Sequence, residues 1–338
     1  MMKKVSTYLI YFSLLFIACQ SESTPSDQSK VAEGTTLPEM VELNKMLNEY
    51  PTEGDLWFQR GSLYFEMDKF PEAIRDLKKA VELDSSDIEA YHLLADAYLD
   101  NLQSREALQI MESIGNRFPQ RIPSLLKLSE FQLILKRYGE AMNTLDRIQE
   151  IDPLSAHAFF MRGMVLKENG DTARAIREFQ EATRENPQMT DAWINLGQLH
   201  EARSDPDALR YFDAGLSISP ENLLLLHAKA QYLARSNQPE LAKAVYRKML
   251  EISPYEEEPY YDLGLLYLDQ DSLTQASTHF DLAIKIDPMF GRAYFYRGLT
   301  RELMGDQHAA RRDYEQALQI NSEDTDAVKA LDRVRENI

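Results

Sequence analysis

The stretch GDLWFQRGSLYFEMDKFPEAIRDLKKAVELDSSD, residues 54–87, returns in altered form as EEPYYDLGLLYLDQDSLTQASTHFDLAIKIDPMF at residues 257–290. Large apolar, small and polar residues fall at the same places in both stretches. In the first, Trp57, Gly61 and Tyr64 are spaced i, i+4 and i+7, which places them on one face of a helix. The recurrence predicts a chain built from copies of one helical unit.

Eight consecutive units of this kind fit the sequence, and each has 34 residues except the fifth, which is one residue short. The unit boundaries are 54–87, 88–121, 122–155, 156–189, 190–222, 223–256, 257–290 and 291–324. Every unit has a small residue near the middle of its first helix, at Gly61, Ala95, Ser129, Gly163, Gly197, Ala230, Gly264 and Gly298. Every unit also has an alanine near the start of its second helix, on the face that packs against the first helix, at Ala73, Ala107, Ala141, Ala175, Ala208, Ala242, Ala276 and Ala310. These small residues predict that the two helices of a unit pack closely.

This pattern resembles the tetratricopeptide repeat. The resemblance implies an all-α solenoid, a right-handed superhelix of helix-turn-helix repeats in which each unit is stabilised by its neighbours. Residues 38–53 fit the second helix of a leading half-repeat, and residues 325–338 fit a C-terminal capping helix. Gly170 and Gly305 stand between helices, where glycine can take the left-handed conformation that ends a helix. Asp87, Ser155 and Asn222 stand where an N-cap is expected.

The N-terminus has the pattern of a targeting segment. Lys3 and Lys4 precede an uncharged, mostly apolar run at residues 8–18, which is shorter than the ~20 residues that a membrane-spanning helix needs. Cys19 follows at once and is the only cysteine. One interpretation is an ordinary secretory signal that is cut away together with this cysteine.

The other interpretation starts from FIAC, residues 16–19, which resembles the lipobox of bacterial lipoproteins. The resemblance implies that residues 1–18 are a lipoprotein signal peptide, that Cys19 carries lipid, and that Gln20 directs the protein to the outer membrane. We favour this interpretation, because no small-x-small cleavage site stands out nearby. Residues 19–37 are rich in Ser, Thr, Glu and Gln, which is typical of a flexible tether.

Charge and cysteine content exclude several classes of function. The chain has 55 acidic and 37 basic residues among 338, a net charge of −18. Such a surface repels phosphate backbones, so we expect no nucleic-acid binding. One cysteine permits neither an internal disulfide nor a cysteine-based zinc site.

The sequence has no catalytic signature: phosphate-binding loops, dinucleotide-binding glycines, the HExxH zinc motif and the GxSxG nucleophile motif are all missing. We therefore expect no enzyme activity, no cofactor and no metal site. His200 stands beside Glu201 without a second histidine one helical turn away, which favours a packed histidine over a metal ligand.

The resemblance implies that the first helix of each unit lines a concave face through its second, fifth, ninth and twelfth positions. No lysine or arginine occurs at any fifth or ninth position, which argues against the carboxylate-clamp type of groove. Apolar and aromatic residues interspersed with polar ones suit a protein segment with apolar anchors. The alternative is that the aromatic residues only pack between repeats. The candidate groove residues are Phe58, His92, Asp96, Glu130, Phe160, Met164, Gln198, His227, Gln231, Tyr261 and Phe295.

Together these features predict a non-catalytic, lipid-anchored scaffold that binds other envelope proteins or peptides through its concave face, and the membrane through lipid on Cys19. The expected location is the bacterial outer membrane, facing the periplasm or the cell surface, within an assembly or secretion machinery. The alternative is an accessory subunit that selects substrates for an envelope enzyme or transferase complex.

Overall fold

The computed structural model describes residues 38–205 and 207–336, and every regular element in these ranges is an α-helix. The predicted signal peptide, Cys19 and the tether lie outside the described residues. The helices are α1 (Pro38–Glu49), α2 (Gly54–Glu66), α3 (Phe70–Leu83), α4 (Ile88–Asp100), α5 (Ser104–Arg117), α6 (Ile122–Ile134), α7 (Tyr138–Ile151), α8 (Ala156–Glu168), α9 (Thr172–Glu185), α10 (Thr190–Ala202), α11 (Ala208–Ile218), α12 (Leu223–Arg235), α13 (Pro239–Ile252), α14 (Glu257–Asp269), α15 (Leu273–Ile286), α16 (Gly291–Leu303), α17 (Gln307–Ile320) and α18 (Thr325–Glu336).

Successive helices from α2 to α17 pair into eight hairpins, which we call repeats 1 to 8. The most extensive contacts in the molecule lie within these pairs, such as α2 with α3 and α8 with α9, and each pair also packs on the next. Helix α1 packs on α2, and α18 packs on α17. The predicted all-α solenoid, with a leading half-repeat and a terminal capping helix, is confirmed.

Close approach within each hairpin depends on the small residue of the first helix. A Cβ atom added at Gly163 would lie 2.7 Å from the ring of Phe179 on the second helix, and one at Gly61 would lie 2.8 Å from Leu77. Both Phe179 and Leu77 are fully buried. In these repeats the glycine therefore makes room for a fully buried side chain of the second helix.

The turn inside each hairpin has one residue with a left-handed backbone. Gly170 and Gly305 have φ of +84° and +86°, as the sequence predicts. The equivalent residue of the other six repeats is not glycine, although an ordinary side chain makes this conformation unfavourable by roughly 1 kcal/mol. These six residues are Asp68, Leu102, Lys136, Ser204, Asn237 and Asp271. The repeat geometry imposes the turn, and the sequence does not always provide glycine for it.

Two of the three expected N-caps form. The side chains of Asp87 and Asn222 accept hydrogen bonds from the backbone N–H groups of Ala90 and Leu225, each at 3.0 Å. The side chain of Ser155 makes no capping bond, and this residue is buried at the start of α8. Its carbonyl still accepts the first helical hydrogen bond, from Phe159 at 3.1 Å.

Basic residues on some first helices join neighbouring repeats. Arg297 of α16 donates to Asp313 of its own repeat at 2.6 Å and to Asp281 of the preceding repeat at 2.6 Å. Arg162 bridges Glu178 and Asp146 in the same way. Lys229 contacts Asp213 at 2.7 Å. Arg60 donates to Asp76 and Asn44.

Candidate functional site

The first helices of the repeats lie on the inner side of the solenoid. Contacts that skip one helix join α2 with α4, α6 with α8, α10 with α12, α14 with α16 and α16 with α18. All of these are first helices, apart from the equivalent terminal helix α18. First helices therefore approach one another more closely than second helices do. The side chains of the first helices that point away from the second helices form the concave surface. We call this surface the inner face.

Three of the predicted groove residues are buried within the described structure. His92, Met164 and Tyr261 are 9%, 9% and 5% exposed. The Nε2 atom of His92 lies 3.0 Å from Oγ of Ser124 on the next first helix. Burial lowers the pKa of His92 to about 4, so its imidazole is neutral at pH 7. These side chains hold repeats together, and little of their surface is open to a partner.

The predicted aromatic residues contact rings on the second helices. The ring centroids of Phe160 and Phe179 are 5.6 Å apart. The ring centroids of Phe295 and Tyr314, which lies on the second helix of the same repeat, are 5.7 Å apart. Phe58 is half-buried and packs against the equivalent cluster in repeat 1. Each aromatic side chain thus contributes one face to its own repeat and leaves only part of its surface toward solvent.

Tyr261 is the most enclosed of these rings. It lies 5.9 Å from Phe280 in its own repeat, and 5.1 Å and 5.8 Å from Phe290 and Tyr296 of the following segment. The guanidinium of Arg292 lies over it, 5.0 Å from the ring centroid. Burial raises the pKa of Tyr261 above its ordinary value, so its phenol remains protonated.

A polar network joins repeats 6 and 7 on the inner face. The Nε2 atom of His227 lies 2.8 Å from Oδ2 of Asp262, and Nε2 of Gln231 lies 3.3 Å from the same imidazole nitrogen. The ring of Tyr246 lies 6.0 Å from that of His227. His227 and Gln231 are half-buried, so this network is reachable from the groove.

Asp96 and Glu130 lie together near the start of the inner face. Asp96 forms an ion pair with Lys127, and the distance from Nζ of Lys127 to Oδ2 of Asp96 is 2.7 Å. Glu130 makes no ion pair or hydrogen bond with the rest of residues 38–205 and 207–336. Burial raises the pKa of the Glu130 carboxyl to about 7, and Lys127 opposes this rise only in part. Gln198, further along the face, is exposed.

Four further inner-face residues are not among the predicted groove residues. Asp100 and Leu303 stand at the thirteenth position of their repeats, Lys127 at the sixth and Lys167 at the twelfth. Lys167 donates to Oδ1 of Asn195 at 2.7 Å, and burial lowers its pKa. The helical period was the available signal, because positions nine, twelve and thirteen lie on one side of a helix.

The inner face ends in leucines at repeats 7 and 8. Leu265, Leu268 and Leu299 are half-buried, and Leu303 is 57% exposed. This combination of open apolar and polar side chains can bind a polypeptide, because apolar anchors and flanking polar groups are what such interfaces use.

His200 is packed in the described structure. It is 9% exposed, its ring lies 4.5 Å from that of Tyr211, and its Nδ1 lies 2.9 Å from Oδ2 of Asp205. Within the described ranges no group of three or more His, Cys, Asp or Glu side chains is arranged to hold a metal ion. Among these same residues no helix has the length and apolar character needed to cross a membrane.

Comparison with known families agrees with the repeat pattern. Family models described as "TPR repeat" match residues 61–101, and models described as "Tetratricopeptide repeat" match residues 89–121, 160–222, 224–256 and 261–327. These matches together cover more than half of the chain.

Two human proteins are similar to parts of the chain. "Superkiller complex protein 3" is 24% identical over 278 residues, which is 77% of this chain and 16% of that protein. "Protein O-mannosyl-transferase TMTC1" is 23% identical over 170 residues, which is 49% of this chain and 19% of that protein. The chain therefore spans less than a fifth of the length of either relative.

A solved structure described as "APC/C hetero-tetramer Cut9-Hcn1" superposes on the chain with a TM-score of 0.50 and 16% identity. The superposition covers 87% of this chain and 58% of that one. At this level of identity, the likeness concerns the fold alone.

Proposed function

Since the chain is a tetratricopeptide-repeat protein, we propose that it is a lipid-anchored scaffold that holds other proteins in the bacterial cell envelope. The inner face supports this proposal most directly. Gln198 and Leu303 are exposed on it, so these two side chains are free of the solenoid's own packing. Glu130 is half-buried and has no ion pair or hydrogen bond among the described residues. A repeat solenoid with such an open face is typical of non-catalytic adaptor proteins.

The proposed anchor depends on the N-terminal sequence. Lys3 and Lys4, the apolar run at residues 8–18 and the segment FIAC together have the pattern of a lipoprotein signal. Two or more acyl chains give stable membrane attachment, at ~0.8 kcal/mol for each buried CH₂ group. In this proposal the lipid on Cys19 fixes the location, and the polar residues 20–37 give the solenoid reach.

The anchor is tested by Cys19→Ser in a bacterial host. The native chain should take up a radiolabelled fatty acid and sediment with outer membranes. The variant should take up no label and leave the membrane fraction or remain uncleaved. A native chain that takes up no label while both forms sediment equally with membranes would refute lipid anchoring.

The scaffold role is tested on the inner face by Gln198→Trp, with Gln319→Trp as the matched control. Gln198 is exposed in the middle of the face on α10, and Gln319 is exposed on the second helix α17. Crosslinking in envelopes followed by affinity purification should capture the same partners with the native chain and Gln319→Trp. Gln198→Trp should lose them. Equal capture by all three forms would show that the inner face is not the binding surface.

A second function is an accessory subunit that selects substrates for an envelope enzyme or transferase complex. The similarity to a protein named as an O-mannosyl-transferase favours it. The region similar to this chain is 19% of that protein, so in that protein such repeats accompany a larger remainder. This function requires a catalytic protein to co-purify with the chain. It also requires the turnover of that protein to change when the chain is removed.

A further inference from the structure

The inner face changes in character from one end to the other. The ninth position of each first helix lies on this face, and from repeat 1 to repeat 8 it is occupied by Ser62, Asp96, Glu130, Met164, Gln198, Gln231, Leu265 and Leu299. Carboxylates thus stand at one end and leucines at the other. A partner that lies along the inner face therefore contacts charged side chains at one end and apolar side chains at the other.

The acidic end has more negative than positive charge. Asp96, Asp100 and Glu130 are carboxylates on α4 and α6, and Lys127 is the cation that contacts them within the described residues. His92 lies beside this group and is neutral at pH 7, because burial lowers its pKa to about 4. One ion pair, from Lys127 to Asp96, leaves Asp100 and Glu130 without a countercharge.

Two of these carboxylates, Asp96 and Glu130, are half-buried, whereas Asp100 is exposed. Burial is the largest cause of the raised pKa of Asp96, Asp100 and Glu130. A cation placed against them replaces lost solvation and relieves their mutual repulsion, so it is bound more favourably here than at a fully hydrated acidic surface.

The apolar end is a separate observation on the same surface. Leu265 and Leu268 of α14 and Leu299 and Leu303 of α16 lie on the inner face, and Leu303 is 57% exposed. The nearby acid Glu302 is neutralised by Arg333, at 2.7 Å. Asp269, at the thirteenth position of repeat 7, is an exposed acid at the border of this end. The leucines beside it favour burial of aliphatic or aromatic side chains of a partner.

We propose that the inner face binds an extended segment of a partner protein whose Lys or Arg side chains lie against Asp96, Asp100 and Glu130 and whose apolar side chains lie against Leu265, Leu299 and Leu303. This inference depends on the proposed scaffold function and specifies its partner. Four repeats separate Glu130 from Leu265. At about 10 Å between packed helices and about 3.3 Å per extended residue, roughly 12 residues separate the basic and the apolar parts.

Two other occupants fit this surface poorly. The chain's own residues 20–37 contain Glu22, Asp27 and Glu33 against Lys30 as the one basic residue, so they would add negative charge to the acidic end. A second copy of the chain carries a net charge of −18 and would be repelled in the same way. Charge complementarity therefore selects a basic partner segment.

The test is a selection of phage-displayed random 20-residue peptides on the full chain with Cys19→Ser, which keeps the chain free of lipid. We expect selected peptides to have Lys or Arg toward one end and Leu, Ile or Phe toward the other. Glu130→Gln and Leu303→Ser should each weaken their binding about fivefold or more. The matched controls are Glu323→Gln, an exposed acid before α18, and Leu241→Ser, which is 54% exposed on α13.

Three outcomes overturn the inference. These are acidic or unpatterned selected peptides, equal binding to the native chain and to both groove variants, and equal weakening by the control variants. If Gln198→Trp abolishes peptide binding while Glu130→Gln and Leu303→Ser do not, the scaffold function stands and only the partner chemistry is wrong. If Gln198→Trp retains all peptide binding and all partner capture, both proposals fail.

Discussion

Gly264 lies so close to the ring of Phe280 that a Cβ atom on residue 264 would be 2.5 Å from Cε1 of that ring. The two residues belong to the two helices of repeat 7, and Phe280 is fully buried. Ala276, one turn before Phe280, is also fully buried. The close packing of this hairpin thus depends on a glycine without a side chain in one helix as much as on a large ring in the other.

Replacement of Gly264 by alanine should destabilise repeat 7 by about 1–3 kcal/mol, because the added methyl group requires the buried ring to move. Ala276→Leu should have a similar cost for the same reason. Urea unfolding followed by circular dichroism measures both effects. The control is Gly139→Ala on α7, where an added Cβ meets no atom within 4 Å. That variant should be neutral or slightly stabilising, since alanine favours helix. A neutral Gly264→Ala would contradict the tight contact.

Leu102→Gly should stabilise the turn between α4 and α5. Leu102 has φ of +59° and is 91% exposed, so glycine relieves the backbone without loss of packing. We expect a gain of about 1 kcal/mol. The reciprocal change, Gly170→Leu, should lose about as much, since Gly170 has φ of +84°. Hydrogen exchange of the flanking helices reports this local stability. Loss of protection in Leu102→Gly would contradict the expectation.

The ion pair of Arg297 with Asp313 predicts strong coupling between two substitutions. Asp313 is 3% exposed and accepts from Arg297 at 2.6 Å and 3.0 Å, and from Arg301 at 2.8 Å. Arg297→Leu leaves this buried carboxylate with one partner, so it should destabilise by about 2–4 kcal/mol.

The pair Leu94 and Ile110 stands at the equivalent positions of repeat 2. The double substitution Arg297→Leu with Asp313→Ile should therefore be more stable than Arg297→Leu alone, by at least about 1 kcal/mol. A double-mutant cycle in urea measures the coupling. Additive effects would show that the two charges do not depend on each other.

Glu130 predicts a pH dependence with a definite sign. Its carboxyl has a pKa of about 7 in the folded chain, above the ordinary value of 4.5. The folded chain therefore holds this proton more tightly than the unfolded chain, and ionisation costs stability as the pH rises from 4.5 to 7. Glu130→Gln removes that cost.

We expect Glu130→Gln to be more stable than the native chain at pH 8 by about 1–2 kcal/mol, less than the full shift because the carboxylate is partly exposed. At pH 4 the two should be equal. Unfolding by urea at both pH values provides the measurement, with Glu323→Gln as a control that changes the same charge elsewhere. A difference that is the same at pH 4 and pH 8 would refute the assignment to Glu130.

The sequence by itself determined the helices and their pairing. Gly61, Gly163 and Gly264 recur with the alanines at a fixed spacing, and a close helix contact tolerates few alternatives, so the pattern is readable without coordinates. It also located the left-handed turns at Gly170 and Gly305. At Leu102 and Lys136 it gave no such signal, because repeat geometry imposes the turn on residues that do not prefer it.

Only the tertiary structure decided which inner-face side chains are open. His92 and Tyr261 stand at the same position of the repeat as Phe160, but Ser124 covers the first and Phe290 and Tyr296 cover the second. Ser124 and Tyr296 come from the next repeat, and Phe290 directly precedes it, so exposure depends on pairs of units rather than on one. Glu130 lacks a countercharge for the same reason, since Lys127 is occupied by Asp96 of the preceding repeat. Helix spacing is a local property of the sequence, whereas burial and charge balance are properties of the stack.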